Sequence, residues 1–163
     1  FVATLAAGVI GCSVGFLRSN RHPARIYMGD GGALFLGFLV AYLGLKLKVA
    51  GDGYQTFLVP LLVCLIAILD TTVVVVSRLR SGKSPFQGGL DHTSHRLVHL
   101  GLPVPIAVGA IHLAAVVAGA LAFICTRVDA VSVWIVGGMA GVSALGATVF
   151  FLAIPIYAED RPS

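Results

Sequence analysis

The sequence predicts an all-α, polytopic transmembrane helix bundle with about five spanning helices. Of its 163 residues 58% are hydrophobic and only 11% are charged, whereas a soluble domain carries about 25% charged residues. So few charged side chains cannot cover the chain with a water-solvated surface. The apolar residues also fall into long runs, and a backbone in lipid must satisfy its polar groups within the segment. We therefore expect each run to be a continuous helix.

Each apolar run has the length that a membrane-spanning helix requires, about 20 residues with a range of roughly 17–25. The first two runs are at the short end of that range. The runs are Phe1–Leu17, Ala33–Val49, Phe57–Val76, Pro103–Cys125 and Val131–Ile156. Two glycine pairs with GxxxG spacing, Gly11/Gly15 and Gly137/Gly141, predict close helix packing.

The first run begins at residue 1, which is Phe and has no basic segment before it. This start does not resemble a signal peptide. We expect residues 1–163 to be the C-terminal part of a single membrane-embedded domain whose N-terminal part is missing.

The basic residues are concentrated in two polar intervals. Ser19–Gly32 and Arg78–Leu102 carry most of the Lys and Arg residues outside the runs, although Lys46 and Lys48 end the second run. The positive-inside rule places both intervals in the cytoplasm. Two crossings separate Asp30 from Arg78–Leu102, so these lie on the same side of the membrane. A net charge of +4 distributed in this way fits topology rather than nucleic-acid binding.

Asp30 stands at the start of the second run and is followed by Gly31 and Gly32. One interpretation is a helix cap, because a carboxylate accepts backbone N–H bonds there and is favoured by the helix dipole. The other is a ligand for Mg²⁺, which takes one or two protein carboxylates and completes its shell with phosphate oxygens and water. The glycines would let a phosphate approach the helix N-terminus.

Asp70 lies inside the third run, roughly 12 Å of helix before Arg78. A carboxylate within the membrane is costly, and it faces the bundle interior or a wet cavity. The sequence leaves two interpretations open. Asp70 is either functional, or it is a structural residue that ties helices together, with Thr71 or Thr72 as its hydrogen-bond partner.

The interval Arg78–Leu102, called the basic loop below, is the longest polar interval in the chain. Its segment Leu90–Leu100 predicts a short helix with three histidines on one face. The ionisable residues of this segment are Asp91, His92, His95, Arg96 and His99. Three interpretations stay open: zinc ligation by the histidines, an interfacial basic helix on anionic headgroups, or His and Arg donors that converge on a diphosphate.

Four motifs, taken in order, resemble the polyprenyl-phosphate N-acetylhexosamine-1-phosphate transferases of glycosyltransferase family 4. Met28–Gly37 resembles the family's GDxGSLxLG segment, with Gly32–Ala33 in place of Gly–Ser. Leu69–Thr72 resembles its membrane LDT, and Arg78 with Gly82–Phe86 resembles its R…G(R/K)SPF run. Gly88–Leu97 resembles its HxHH motif. In that motif His92 and His95 match the first and last histidines, while Thr93 and Ser94 occupy the middle.

The resemblance implies an enzyme that transfers sugar 1-phosphate from a UDP-N-acetylhexosamine to a polyprenyl phosphate such as undecaprenyl phosphate, with release of UMP. It implies the bacterial plasma membrane as location, cytoplasmic active-site loops, and the first membrane step of a cell-envelope polysaccharide. Asp30 would hold Mg²⁺, or Mn²⁺ in its place, and Asp30 and His92 would be catalytic. The residues implied to bind substrate are Gly31, Asp91, His92, His95 and Arg96, with Asp91 orienting a histidine.

The family's acidic motifs lie in its N-terminal half, so we assign no general base and expect residues 1–163 alone to be inactive. Two other hypotheses stay open. The first is a transporter or channel in which Asp70 and His112 line a polar path, and the second is a non-catalytic module that binds anionic lipid. The sequence leaves open the sugar donor, the polymer pathway, the roles of Asp70 and His99, and whether the protein forms a homodimer.

Overall fold

The computed structural model describes residues 1–46 and 54–156. Within these ranges the chain forms seven α-helices and no strand, which confirms the predicted all-α class. The helices are α1 (Val2–Asn20), α2 (Gly29–Lys46), α3 (Tyr54–Val63), α4 (Leu65–Arg80), α5 (Thr93–His99), α6 (Val104–Cys125) and α7 (Ala130–Leu152). The end of the second predicted run, including Lys48, lies outside the described residues.

Four helices, α1, α2, α6 and α7, are long and apolar enough to cross a membrane, and the bent pair α3 and α4 gives up to a fifth span. The prediction of about five spans is therefore confirmed. Helix α7 ends at Leu152 rather than at Ile156. Pro155 accounts for this end, because it lacks a backbone N–H and disfavours helical backbone at the residue before it.

The third span is broken, so the expectation of one continuous helix over Phe57–Val76 is wrong. Helix α3 ends at Val63 and α4 begins at Leu65, and the two helix axes differ by 65°. Pro60 lies inside α3, and proline removes a backbone hydrogen bond and bends a helix. The amide of Cys64 still donates to the carbonyl of Pro60 at 3.0 Å. The bend therefore keeps a hydrogen-bonded backbone at its corner.

Helices α3, α6 and α7 share an apolar core formed by Val59, Leu62, Ala122, Cys125, Val133 and Ala140. Gly137 is part of this close packing, since a Cβ placed there would lie 2.9 Å from Cδ2 of Leu58. The packing predicted from GxxxG spacing is thus confirmed at Gly137. At Gly11, Gly15 and Gly141 no atom of the described chain lies within 4 Å of such a Cβ, so the prediction finds no support there.

The two ends of α7 are held by different contacts, and only its C-terminal end lies beside the basic loop. Asp129 caps α7 and accepts from the hydroxyl of Ser132 at 2.7 Å and from the amide of Val131 at 3.0 Å. These bonds, led by the one from the Ser132 side chain, lower the pKa of the Asp129 carboxyl. At the other end of α7, the carbonyls of Phe151 and Ile154 accept from Arg96 of the short helix α5, which also packs against α4 and α6. The basic loop therefore rests on the ends of α4, α6 and α7.

Candidate active site

The short helix in the basic loop is smaller than predicted. It covers Thr93–His99 rather than Leu90–Leu100, and His92 precedes it as an extended N-cap residue with φ −63° and ψ 158°. The prediction that three histidines share one helical face is therefore wrong, because His92 lies outside the helix. Seven residues are too few for a helix to be stable alone. Contacts with the rest of the protein must hold α5 in place.

A buried ion pair closes the first half of the basic loop. Arg78 donates from Nε to Oδ2 of Asp91 and from Nη2 to Oδ1, both at 2.6 Å. The exposed fractions of the two side chains are 7% and 1%. Nη1 of Arg78 also donates to the carbonyl of Pro85 at 2.9 Å and to that of Gln87. One guanidinium thus joins the end of α4 to the residues that precede α5.

This geometry changes two roles inferred from the sequence. The sequence analysis used Arg78 as one of the basic residues that set the topology, yet its buried, two-pronged bond to a carboxylate is the strong form of a charged hydrogen bond. Asp91 was expected to orient a histidine, yet both of its carboxylate oxygens accept from Arg78. Asp91 therefore shapes the loop through Arg78.

Gly89 is required by this ion pair. A Cβ at residue 89 would lie 2.8 Å from Oδ1 of Asp91 and 3.2 Å from Nη2 of Arg78. Neither atom can move away freely, because each is hydrogen-bonded to the other. At the neighbouring Gly88, nothing lies within 4 Å of such a Cβ. The ion pair therefore explains a glycine at position 89 but not at position 88.

Arg96 ties the loop helix to the end of α7. Its side chain is buried, with 1% exposure for the residue. Nη1 donates to the carbonyls of Phe151 at 2.7 Å and Ile154 at 3.2 Å, and Nη2 donates to the hydroxyl of Ser77 at 2.6 Å. Carbonyls at a helix C-terminus lack partners within the helix and favour a cation. The predicted direct contact between Arg96 and phosphate does not fit this geometry.

Asp70 on α4 holds the residues at the start of α5. Its Oδ2 lies 2.7 Å from Nδ1 of His92, while its Oδ1 accepts from the amide of Thr93 at 2.7 Å and from the Thr93 hydroxyl at 2.8 Å. Thr72, one of the predicted partners, donates instead to the carbonyl of Ile68. Asp70 is thus tied to the loop rather than to a threonine of its own helix. Since an ionised carboxylate only accepts hydrogen bonds, Nδ1 of His92 carries the proton.

The histidines of the loop differ in their surroundings. His92 and His95 both lie at the start of α5 and are exposed, and the His92 side chain is 48% exposed despite its bond to Asp70. His99 is exposed at the opposite end of α5. In the described part of the chain, no group of three His, Cys, Asp or Glu residues is placed to hold a metal ion. The structure therefore does not assemble the three-histidine zinc site that the sequence allowed.

Asp30 is the second residue of α2 rather than its cap. Its side chain is exposed, and among residues 1–46 and 54–156 it has no hydrogen-bond or ion-pair partner. A carboxylate in the first turn is favoured by the helix dipole. Beside it, a Cβ at Gly31 would meet open space. This single exposed carboxylate fits the one protein ligand that Mg²⁺ needs when phosphate oxygens and water fill its remaining positions.

Two features of the site were missed by reasoning from the sequence. The pairing of Asp70 with His92 could have been suspected, because a carboxylate within a membrane segment needs a polar partner. The pairing of Arg78 with Asp91 had no local signal, since 13 positions separate the two residues. Outside the loop, His112, which the transporter hypothesis placed on a polar path, has its Nδ1 2.8 Å from the carbonyl of Val108 in its own helix.

Comparison with known proteins shows clear relatives. Residues 1–48 match glycosyl transferase family 4. A Streptomyces coelicolor protein named as a glycosyltransferase is 35% identical over 155 residues, covering 90% of this chain and 35% of that protein. A Bacillus subtilis protein named as an undecaprenyl-phosphate N-acetylglucosaminyl 1-phosphate transferase is 32% identical over 112 residues, covering 69% of this chain and 31% of that protein.

A Mycolicibacterium smegmatis decaprenyl-phosphate N-acetylglucosaminephosphotransferase is 31% identical over 112 residues, covering 61% of this chain and 27% of that protein. The chain thus spans about a third of the length of the curated relatives it matches. No solved structure is significantly similar to the chain.

Proposed function

The chain belongs to glycosyl transferase family 4, and from this premise we propose that the protein transfers N-acetylhexosamine 1-phosphate from a UDP-sugar to a polyprenyl phosphate. A phosphate oxygen of the acceptor attacks the phosphorus that bears the sugar, and the bond from this phosphorus to UMP breaks. The products are UMP and a lipid-linked sugar diphosphate. We place the reaction at the cytoplasmic face of a bacterial plasma membrane, as the first membrane step of a cell-envelope polysaccharide.

One observation carries this proposal. The imidazole of His92 is hydrogen-bonded to Asp70 through Nδ1, yet its side chain is 48% exposed, and His95, three positions further along, is exposed as well. Phosphoryl transfer depends on positioning and on neutralising charge more than on covalent chemistry by the protein. Fixed donors that face the place where charge develops are the usual means of doing this. His92 and His95 are therefore assigned to the diphosphate of the donor and to the charge that appears on departing UMP.

The remaining residues act through position. Asp30 would hold Mg²⁺, with Mn²⁺ as the alternative ion, and Gly31 leaves room for phosphate beside the backbone. When bound, such an ion neutralises the charge of the diphosphate. Asp91 and Arg96, first assigned to substrate, are reassigned to bracing the basic loop against α4 and α7. With the bent pair α3 and α4 counted as one span, the start of α2 and the end of α4 lie on the same side of the membrane.

The competing hypotheses fit the geometry less well. A transport path that uses Asp70 without the loop histidines would require these groups to act separately, yet Asp70 and His92 are hydrogen-bonded at 2.7 Å. A lipid-binding loop would present its cations to anionic headgroups. Instead, two of its four Lys and Arg side chains, Arg78 and Arg96, are buried, at 6% and 1% exposure, and donate to protein acceptors.

The test is a transfer assay with the protein as its gene encodes it, purified in detergent with UDP-N-acetylglucosamine and polyprenyl phosphate. We expect release of UMP that requires both the acceptor and Mg²⁺. Asp30→Asn should abolish this release, while Asp129→Asn, which changes an exposed carboxylate at the start of α7, should retain it. Residues 1–163 alone should be inactive. Absence of acceptor-dependent UMP release by the encoded protein, or normal turnover by Asp30→Asn, would overturn the proposal.

A further inference from the structure

We infer that Asp70 is a positioning residue that fixes the orientation and tautomer of His92, so that Nε2 of this imidazole is presented to a phosphate oxygen of the substrate. This inference rests on the proposed function for the identity of the ligand. The geometry that it uses is independent of that proposal. It assigns a role to a membrane-helix carboxylate for which the sequence left two interpretations open.

Asp70 is itself held in one orientation. Its Oδ1 takes two hydrogen bonds from Thr93, one from the amide and one from the hydroxyl, and its Oδ2 faces Nδ1 of His92. Thr93 is 4% exposed, so both groups that donate to Oδ1 belong to a buried residue. The carboxylate therefore cannot rotate without breaking bonds to Thr93. Oδ2 offers Nδ1 of His92 an acceptor at a fixed point.

The position of Asp70 on the chain makes this support rigid. Asp70 lies in the middle of α4, whereas His92 lies in the connection that precedes α5. The bond from Asp70 to His92 thus joins a loop residue to a long helix across 22 positions of sequence. Seven positions further along α4, the hydroxyl of Ser77 accepts a hydrogen bond from Arg96. Residues on both sides of His92 along the chain are therefore anchored, because Asp91 binds Arg78 and Thr93 binds Asp70.

The chemical consequence concerns the two ring nitrogens. With its proton on Nδ1 directed at Asp70, His92 has Nε2 as the nitrogen not held by that carboxylate. As long as Asp70 keeps a proton on Nδ1, Nε2 is a donor only in the doubly protonated ring, and in that state it can donate to a phosphate oxygen. Without Asp70 the ring could rotate or carry its neutral proton on the other nitrogen. Because 48% of the His92 side chain is exposed, little else would then keep Nε2 pointing in one direction.

Asp70→Asn is the informative substitution. The amide oxygen of Asn can still accept from Thr93, but its NH₂ group would face Nδ1 of His92 as a donor. Nδ1 must then act as the acceptor, so the neutral ring places its proton on Nε2. Asp70→Glu keeps a carboxylate and should restore the wild-type tautomer in part. Thr72→Val is the matched control on α4, because Thr72 binds only the carbonyl of Ile68 in its own helix.

The experiment combines two readouts on the protein as its gene encodes it. The first is the ¹⁵N spectrum of labelled histidines in detergent, with His92 assigned by comparison with His92→Ala. Asp70→Asn should move the protonated nitrogen of His92 from Nδ1 to Nε2, while Thr72→Val should leave it in place. An unchanged His92 tautomer in Asp70→Asn would overturn the inference. If Asp70→Asn does not fold, the spectrum of Asp70→Glu decides: retention of the Nδ1 proton supports the inference, and its loss refutes it.

The second readout is the kinetics of UMP release. Asp70→Asn keeps the ring in place but removes the carboxylate that pairs with the protonated ring. Losing one preorganised donor at a developing charge costs roughly 10²- to 10³-fold in kcat, so kcat of Asp70→Asn should fall by about 10²-fold. KM for the UDP-sugar should change little, as expected when a transition-state interaction is lost. The double variant Asp70→Asn/His92→Ala should be no slower than His92→Ala alone, because Asp70 acts through His92. Multiplying losses would refute the inference, whereas a wild-type protein without transferase activity would refute only the proposed function.

Discussion

The buried pair of Arg78 and Asp91 yields the sharpest prediction about the architecture of the site. Asp91→Ala removes a carboxylate that is 1% exposed and leaves the guanidinium of Arg78 buried without it. Removing one partner of a buried ion pair costs about 3–5 kcal/mol, since the remaining charge has lost its compensation. The same guanidinium holds the carbonyls of Pro85 and Gln87. The effect should therefore appear first as opening of the basic loop.

Hydrogen exchange of backbone amides measures this opening directly. Within the loop, the amide of Lys83 donates to the carbonyl of Arg78 at 2.9 Å, and that of Gln87 donates to Ser84 at 3.2 Å. Local opening sets the exchange rate of such amides. Because about 1.4 kcal/mol corresponds to a tenfold change, a cost of about 3–5 kcal/mol should accelerate exchange of these two amides by at least roughly 10²-fold, and by several thousand-fold at the upper end, in Asp91→Ala. Amides in the middle of α6 should keep their rates.

Two further variants test the reasoning. Asp129→Ala removes an exposed carboxylate at the start of α7 and should leave the loop amides unchanged. The double variant Arg78→Met/Asp91→Leu removes both charges, and apolar replacement of a buried ion pair is often close to neutral. It should recover most of the protection, although the carbonyls of Pro85 and Gln87 lose their donor. Wild-type exchange of the Lys83 and Gln87 amides in Asp91→Ala would refute the structural role of the pair.

Two other predictions follow from the same bracing contacts. Gly89→Ala should accelerate exchange of the loop amides, because its Cβ would lie 2.8 Å from Oδ1 of Asp91. Gly88→Ala is the control and should leave exchange unchanged, because no atom lies within 4 Å of a Cβ at that position. Equal exchange rates in the two variants would contradict this prediction. Arg96→Met should lower the thermal unfolding midpoint, because each buried acceptor left unpaired costs about 1–3 kcal/mol. The exposed Arg80→Met is its control, and an Arg96→Met midpoint equal to that of the wild type would argue against the tie to α7.

The spans could be predicted from the sequence because their physical cause is local. A helix in lipid needs a long apolar run, and each run gives its own position without reference to the others. The start of α6 and its end at Cys125 follow from this rule. The break after Val63 could not be predicted in the same way, because the composition remains apolar across it. Pro60 was the available signal, yet proline within a transmembrane helix is often tolerated.

The contacts that shape the site depend on distances along the chain that no local pattern reports. Arg96 reaches carbonyls at residues 151 and 154, at separations of 55 and 58 positions. Proximity in sequence was also misleading for Asp91. It adjoins His92, yet successive side chains in extended backbone point to opposite sides. Asp91 therefore turns toward Arg78, and Asp70 supplies the carboxylate that holds the histidine.

Residue types were a better guide to the site than assigned roles were. The sequence singled out Asp30, His92 and His95 as ionisable groups in polar intervals, and the structure leaves all three exposed. It could not separate them from Arg96 and Asp91, because burial decides which charged groups face protein and which face a ligand. A buried charge must be paired within the fold. An exposed one is free to meet substrate.

The central claim is that His92 acts on the substrate, whereas His99, at the far end of the same helix, does not. Its most direct test compares UMP release from UDP-N-acetylglucosamine by His92→Ala and by His99→Ala, in the protein as its gene encodes it and at matched protein levels. We predict that acceptor-dependent release by His92→Ala falls to a small residual rate, while His99→Ala, altered at the far end of α5, retains the wild-type rate. Normal turnover by His92→Ala would contradict the site as described.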